Sequence, residues 1–191
     1  TPIKFNGKSA ILAVARDITE RKQFEAELER LALFDPLTGI ANRRAFDRRL
    51  VEELERAERN DYLLALAMLD IDNFKLVNDN HGHAWGDIVL KEIVRIFQNS
   101  MRKIDFLARY GGEEFVVLLL DTSDVDAERI LDAVRLSIER HVFDEKGARL
   151  HCTVSIGIAA NQTGDSPEVF LERADAQLYR AKGMGKNCVC R

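Results

Sequence analysis

The sequence lacks several features that would each assign it to a particular class of protein. No apolar run is long enough to span a bilayer and the first residues lack the layout of a signal peptide, so we expect this 191-residue piece to be neither inserted nor exported. The three cysteines, Cys152, Cys188 and Cys190, include no Cys-x-x-Cys pair, which favours reduced thiols in a cytoplasmic protein over disulfides or zinc ligation. The formal charge of −4 argues against a nucleic-acid partner. A longer parent chain could still carry a membrane anchor.

The residues that are present predict a folded domain with an appendage. At 46% apolar residues the chain can bury a sizeable core. Periodicity and the placement of glycine and proline predict, in order, a helix over 42–60, a strand over 63–71, helices over 74–78 and 87–101, a hairpin, a helix over 124–141, a strand over 148–159, a helix over 167–181 and a short terminal strand. This order predicts an α/β fold of the α+β type, with a central mixed sheet that contains a β-hairpin and is covered by helices.

Two acidic segments stand out within this pattern. Residues 109–115 place Glu113 and Glu114 directly after Gly111 and Gly112, and the glycine pair predicts a hairpin closed by a two-residue primed turn with positive φ. The uncharged run 63–69 leads into Asp70, as a buried strand that ends in carboxylates would. If Asp70 meets Glu113, the all-oxygen site favours Mg²⁺ or Mn²⁺. The alternative is a solvated turn beside an ordinary hairpin.

Further motifs, in fixed order, resemble the signature of the GGDEF diguanylate cyclases. They are Asp35-Pro36-Leu37-Thr38-Gly39-Ile40-Ala41-Asn42-Arg43-Arg44, Asp70-Ile71-Asp72-Asn73-Phe74-Lys75, Asn78-Asp79, Gly82-His83, Gly86-Asp87, the Gly-Gly-Glu-Glu-Phe hairpin, Asp175-Ala176-Gln177-Leu178-Tyr179-Arg180-Ala181-Lys182 and Gly185-Lys186-Asn187. The resemblance covers about 35–190, and Glu113 replaces the motif's Asp, which is a familiar variant. It implies a palm-like nucleotidyl cyclase domain over 35–191 that joins two GTP molecules into cyclic di-GMP.

The resemblance also implies roles for residues of the catalytic centre. Asp70, the Ile71 carbonyl and Glu113 would hold Mg²⁺ or Mn²⁺, and Glu113 or Glu114 would help to deprotonate the attacking hydroxyl, with Glu113 favoured because it lies at the turn. Lys75 would stabilise the transition state, although a solvated helix-surface lysine is the alternative. Two later lysines, Lys182 and Lys186, would hold the terminal phosphates; the family more often has Arg at the second position. For Asp72 we favour a different role, the N-cap of the helix that begins near Phe74.

Base selection and feedback complete the set that the resemblance implies. Asn78 and Asp87 would read the guanine edge, with Phe74 and His83 also assigned to substrate binding, whereas the alternative for Asn78 and Asp87 is helix capping. Three further residues, Arg102, Asp105 and Arg109, would form a product-inhibition site of the Arg-x-x-Asp type. A surface ion pair is the alternative for that pattern.

The resemblance leads to expectations about assembly as well. One domain holds one GTP, so the product requires a homodimer. Residues 1–18 resemble the end of a PAS-type sensor domain, and 19–34 the helix that links it to the cyclase. Phe24, Leu28 and Leu31 fit a coiled-coil seam or a lone amphipathic helix. A non-catalytic module that senses GTP or cyclic di-GMP remains the alternative function.

Overall fold

The computed structural model describes residues 2–5, 8–11, 31–145 and 147–191, and the chain divides into two units, Thr1–Ala32 and Leu33–Arg191. In the first unit, β1 (Pro2–Phe5) pairs antiparallel with β2 (Lys8–Ile11). The predicted linking helix from Asp17 and the seam positions Phe24 and Leu28 lie outside the described residues. Within the described ranges, no helix is both long enough and apolar enough to cross a membrane.

The second unit is built on a six-stranded mixed sheet. Its strands are β3 (Ala41–Asn42), β4 (Leu64–Ile71), β5 (Phe106–Arg109), β6 (Glu114–Leu120), β9 (Val154–Ala160) and β10 (Val189–Cys190), and they are arranged in the order β10-β9-β4-β6-β5-β3. Strand β4 pairs antiparallel with both β6 and β9, β5 pairs antiparallel with β6, and the outer pairs β10/β9 and β3/β5 are parallel. The predicted mixed sheet with a hairpin is confirmed.

Among the residues that the structure describes, both faces of the sheet are covered by the helices α1 (Arg43–Asn60), α2 (Phe74–His81), α3 (His83–Ser100), α4 (Asp124–Arg140) and α5 (Pro167–Gly183). Asn42 caps α1 and Ser166 caps α5, each by accepting a hydrogen bond from a backbone amide of the first turn. Alternate residues of β4 enter two separate cores, one with α3 and α4 and the other with α1 and α5. Because both of its faces are covered, β4 reads as an uninterrupted apolar run that stops where the chain reaches Asp70.

Two sequence-based expectations about these elements are wrong. The strand predicted over 148–159 is two strands, because β8 (Ala148–Leu150) pairs with β7 (Phe143–Glu145) in a separate small hairpin, and only β9 joins the main sheet. The helices predicted over 74–78 and 87–101 are longer, since α2 extends to His81 and α3 begins at His83. Gly82, at φ 84°, allows the sharp change of direction between them.

Candidate active site

The two acidic segments meet at one edge of the sheet. Asp70, the penultimate residue of β4, is registered opposite Glu114 of β6, and the Ile71 amide donates a hydrogen bond of 3.3 Å to the Glu113 carbonyl. Partial burial raises the pKa of the Glu113 carboxyl, and the neighbouring negative charges of Asp70 and Glu114 raise it further. These carboxylates are therefore close enough to repel one another, an arrangement that a bound cation would stabilise.

A lysine from the end of helix α5 reaches the same edge of the sheet. Lys182 lies in the last turn of α5, and its Nζ is 2.8 Å from Asp70 Oδ2. Helix α5 packs on the core face formed by β4 and its neighbours through Phe170, Ala174 and Leu178. The tertiary fold thus joins the ammonium group of Lys182 to the carboxylate of Asp70, 112 positions earlier in the chain.

The second predicted phosphate-binding lysine, Lys186, also reaches the segment at the end of β4. Lys186 Nζ donates a hydrogen bond of 2.6 Å to Asn73 Oδ1, just beyond the end of β4. Lys186 and Asn187 both have left-handed backbone conformations, with φ of 67° and 48°. Asn187 is tied to Asp72 by a hydrogen bond of 3.0 Å from its backbone amide to Asp72 Oδ2.

The expectation that Asp72 caps α2 is wrong. The N-cap position belongs to Asn73, which has a left-handed conformation and makes no side-chain capping bond. Asp72 is instead 5% exposed and accepts hydrogen bonds of 2.7 Å from the hydroxyls of Thr153 and Ser155. Sequence reasoning missed Thr153, Ser155 and Asn187, because the residues that satisfy this buried carboxylate lie more than eighty positions away along the chain.

The turn of the active-site hairpin also differs from expectation. Strands β5 and β6 are joined by Tyr110, Gly111, Gly112 and Glu113, and neither glycine has the left-handed φ that a primed two-residue turn requires. Glu113 does lie at the turn, as predicted, and Glu114 begins β6. A Cβ added at Gly111 would lie 2.6 Å from Glu114 Oε2, the end of a flexible side chain that can move away, and a Cβ at Gly112 would meet nothing within 4 Å.

Arg109 fixes this turn from the side. Its Nε and Nη2 donate to the Gly112 carbonyl at 3.1 and 2.7 Å, while Nη1 donates to both carboxylate oxygens of Asp35 at 3.1 and 3.0 Å. Asp35 also accepts from the Thr38 amide and hydroxyl. Partial burial pushes the pKa of Asp35 upward, but the bonds from Thr38 and the Arg109 charge outweigh it, so the net shift is downward. Arg109 is engaged at the hairpin, and these contacts give no support to its predicted part in product binding.

The residues predicted to bind the base lie along α2 and the first turns of α3. Asn78 is half-buried with its amide against Gly86, where an added Cβ would overlap the Asn78 Oδ1, while His83 and Asp87 are exposed. Lys75 is exposed in the first turn of α2. Phe74 is 7% exposed and belongs to the core, with its ring against Gly86, so it contributes to the shape of this region through packing.

Arg102 and Asp105 form a compact pair outside this cleft. The Arg102 Nη2 lies 2.9 Å from Asp105 Oδ1 and also donates to the Leu120 carbonyl and the Thr122 hydroxyl. Arg102 is 48% exposed, whereas the Asp105 side chain is 1% exposed. Both residues line a cavity of about 390 Å³ whose wall continues to Phe34, Gly39 and Met101.

No group of three or more His, Cys, Asp or Glu side chains suited to a metal occurs in the parts of the chain that the structure describes. The candidate metal-binding set thus rests on two carboxylates and one backbone carbonyl. The three cysteines are free, and burial raises the pKa of Cys152 to about 11, as expected of a packed thiol.

Comparisons with known proteins agree with one another. Residues 32–188 match the family model described as diguanylate cyclase, GGDEF domain. The chain is 45% identical over 171 residues to diguanylate cyclase DgcP of Pseudomonas aeruginosa, which covers 88% of this chain and 26% of the relative. It is 41% identical over 172 residues to response regulator PleD of Caulobacter vibrioides, covering 88% of this chain and 38% of the relative. The chain therefore spans between a quarter and two fifths of the length of these relatives.

Among solved structures, the coiled coil and GGDEF domain of DgcB from Caulobacter crescentus, in complex with c-di-GMP, is similar with a TM-score of 0.86 and 32% identity. The similarity covers 91% of this chain and 92% of that one. Diguanylate cyclase SiaD from Pseudomonas aeruginosa, in complex with its activator SiaC, gives a TM-score of 0.81 and 39% identity, covering 89% of this chain and 65% of that one.

Proposed function

This chain belongs to the diguanylate cyclase GGDEF domain family, and we propose that it condenses two GTP molecules into cyclic di-GMP with the release of two pyrophosphates. The observation that supports this most directly is the convergence of Asp70, Glu113 and Lys182 at one edge of the sheet. Two carboxylates and a lysine from three separate segments suit a metal-bound triphosphate. A surface turn would not need this arrangement.

The donor set fits a hard divalent cation. Asp70 and Glu113 present carboxylate oxygens whose mutual repulsion a cation would offset, and the Ile71 carbonyl is the third assigned ligand. We assign Mg²⁺ or Mn²⁺, since such ions keep several sites for water and substrate phosphates and so need few protein ligands. The ion would neutralise charge on the phosphates during transfer.

The proposed reaction is phosphoryl transfer in line. The 3′-hydroxyl oxygen of one GTP attacks the α-phosphorus of the other, the bond from that phosphorus to the bridging oxygen breaks, and pyrophosphate leaves. Glu113 or Glu114 accepts the hydroxyl proton, and we favour Glu113 because it lies in the turn directly before β6. Lys182 and Lys186 hold the terminal phosphates and Lys75 offsets charge near the transferring group.

Base selection falls to the α2 and α3 region. Guanine offers N1–H and N2–H₂ donors, which the amide oxygen of Asn78 and the carboxylate of Asp87 can accept. His83 lies at the start of α3 beside them. Adenine lacks both donors in that pattern, so we assign GTP as the substrate.

Assembly and feedback follow from the product. Its two phosphodiester bonds require two GTP molecules aligned head to tail, so we assign activity to a homodimer. The DgcB structure similar to this chain is a complex with c-di-GMP. We assign product inhibition to Arg102 and Asp105. The half-exposed Arg102 guanidinium can fork onto guanine O6 and N7, and a cavity of about 390 Å³ adjoins the pair. The Asp105 side chain is 1% exposed and bonded to Arg102, so it would accept from guanine N1 and N2 only once that pair opens.

We also assign a regulatory input to residues 1–34, as the end of a PAS-type sensor and its linking helix, and a cytoplasmic location to the domain. Comparing cyclisation rates of the full chain and of a version that begins at Asp35 tests the input. Equal rates, in the same concentration range, would remove the regulatory role.

The deciding experiment is direct. The purified chain is incubated with GTP and Mg²⁺, and cyclic dinucleotide and pyrophosphate are quantified by chromatography and a coupled assay. We expect one cyclic di-GMP for every two pyrophosphates, with loss of both on metal removal. Binding of GTP or cyclic di-GMP without turnover would instead identify a sensing module.

A further inference from the structure

We propose that Asp72 and Asn187 form a clamp, defined here as these two residues and the bond between them, that positions Lys186 and Lys182 for the triphosphate. They are positioning residues, because they act through the two lysines. The proposal rests on the proposed function, since it assumes that the lysines bind GTP.

The Asp72 half of the clamp is a buried carboxylate, and both of its oxygens accept hydrogen bonds. Its Oδ1 accepts from the Ser155 hydroxyl at 2.7 Å, and its Oδ2 accepts from the Thr153 hydroxyl at 2.7 Å and the Asn187 amide at 3.0 Å. The Asp72 amide donates to the Thr153 carbonyl at 2.9 Å. Burying a carboxylate is costly unless such bonds compensate it, so this residue type serves a purpose that an apolar residue could not.

The Asn187 half holds a strained loop in place. Lys186 and Asn187 are consecutive non-glycine residues in the left-handed region, which such residues adopt only where the surroundings fix them. The Asn187 Nδ2 donates to Glu139 Oε1 at 2.8 Å, and its Oδ1 accepts from Arg135 Nη1 at 2.8 Å. Through these bonds the loop is anchored to α4 on one side and to the end of β4 on the other.

Lys186 is part of this loop, and Lys182 lies in the last turn of α5, the helix that leads into it. The Lys186 amide donates to the Ala181 carbonyl at 3.1 Å, one residue before Lys182, and Lys186 Nζ reaches Asn73 Oδ1 beside Asp72. A lysine side chain loses considerable rotamer freedom when it binds a phosphate, and a backbone already held in the binding geometry reduces the further cost. The clamp therefore acts on triphosphate affinity, separately from its effect on folding.

The chain offers a matched control at the far end of the same strand pair. Asn161 Oδ1 accepts from the Leu64 amide at 2.8 Å, and the Asn161 amide donates to the Leu64 carbonyl at 2.8 Å. Leu64 lies six residues before Asp70, which is about 20 Å along a strand. Replacing Asn161 removes an asparagine that ties one strand end to another but leaves the lysines alone.

The test measures nucleotide binding apart from turnover. The probe is 3′-deoxy-GTP with Mg²⁺, which lacks the attacking hydroxyl, titrated calorimetrically into the full chain and into N187A, N161A, K186A and the double variant K186A/N187A. We expect N187A to raise the Kd about tenfold and N161A less than about twofold. If Asn187 acts through Lys186, N187A adds little in the K186A background, giving a clear coupling in the double-mutant cycle.

Two further measurements complete the design. Thermal unfolding checks that the variants fold; if N187A does not, Asn187→Gly keeps the left-handed backbone while losing the bonds to Glu139 and Arg135. D72N keeps an acceptor for the Asn187 amide and should bind more tightly than D72A. Equal losses from N187A and N161A, or equal effects of N187A with and without Lys186, would overturn the clamp.

The proposed function is judged separately from wild-type product formation. A wild-type chain that makes cyclic di-GMP, with N187A binding normally, rejects the clamp alone. A wild-type chain that neither cyclises GTP nor binds the probe rejects both.

Discussion

The two ends of the candidate active site are built in different ways. At the proposed metal and phosphate end, Asp70 lies near the end of β4 and Glu113 lies in the turn directly before β6. The Asp70 side chain is only 13% exposed, and Lys182 bonds to it directly. At the base end, Asn78 lies on the short helix α2, while His83 and Asp87 are exposed on α3. The first end is fixed by the sheet, whereas the second depends on how two helices pack.

This difference teaches which kinetic constant each end should control. A catalytic group must be held within a fraction of an ångström while charge develops, and strand ends with paired registers provide such rigidity. Reading a base requires hydrogen bonds of ordinary geometry, which a helix surface can supply. Losses at the strand ends should therefore appear mainly in kcat, and losses at the helices mainly in KM and base preference.

The largest effect is expected from Glu113→Gln. The amide keeps the size of the side chain but cannot accept the hydroxyl proton, so kcat should fall about 10² to 10⁴-fold. Initial rates of pyrophosphate release measure this loss. Glu114→Gln is the matched control, because Glu114 lies beside it with its carboxylate against Gly111. A greater loss in the control would move the base assignment to Glu114.

A smaller effect is expected from Asp87→Ser at the base end, and it should appear in base preference rather than in kcat. Loss of the carboxylate removes acceptors for the guanine donors, which should reduce the preference for GTP over ATP by about tenfold or more. The ratio of kcat/KM for the two nucleotides measures the change. Unchanged preference, with a lowered kcat instead, would contradict the division between the two ends.

The proposed product site lies outside both ends of the candidate active site, and a substitution there should change inhibition by a similar factor. Arg102→Ala should raise the cyclic di-GMP concentration for half-inhibition about tenfold or more, because the forked contact to guanine is lost. Each variant is normalised to its own uninhibited rate, and Arg95→Ala, which breaks an exposed pair with Glu92, is the control. Unaltered inhibition would reject the assignment of Arg102.

The metal end was the easier part to predict from sequence, for a physical reason. A continuous apolar run predicts strand β4, and the first acidic residue after that run lies near the end of the strand. The position of Asp70 can therefore be predicted from the local sequence. The meeting with Glu113 also follows once β6 pairs with β4. The resemblance supplied the remaining residue assignments, whose individual roles stay predictions.

The features that the local sequence pattern predicted wrongly depend on contacts between residues far apart in the chain. Asp72 has the local pattern of a cap, yet its partners Thr153, Ser155 and Asn187 arrive from distant segments. The conformation of the hairpin turn also depends on a distant residue, because Arg109 binds both the Gly112 carbonyl and Asp35, which lies 74 positions earlier. The split of the strand predicted over 148–159 reflects a competing partner, β7, for its first residues.

Packing at the base end can be tested with a single methyl group. In Gly86→Ala the added Cβ would overlap the Asn78 amide and press on the Phe74 ring. Overpacking of this kind costs about 1–3 kcal/mol, and displacing Asn78 should raise the KM for GTP about tenfold with little change in kcat. In an Asn78→Ala background the same substitution should add little, and equal effects in both backgrounds would show that Asn78 is not the residue displaced.

The smallest effect is expected from Asp35→Asn, which loosens the metal end from outside. The neutral amide weakens the pairing with Arg109 that holds the Gly112 carbonyl, so kcat should fall only several-fold, while the free energy of unfolding falls by about 1–3 kcal/mol. Because the pKa of Asp35 is lowered on folding, its stabilisation is present above the ordinary value of 3.8 and is lost as the pH falls through the folded value.

Urea unfolding of the wild type and D35N between pH 7 and the acid limit of the folded state measures this contribution. The difference between them should be constant near neutrality and should narrow once the pH falls below 3.8, because the wild-type carboxylate is then protonated too. A difference that stays constant into that acid range would mean that the charge of Asp35 does not stabilise the turn. The rigidity of the metal end would then have to come from the β4/β6 register alone.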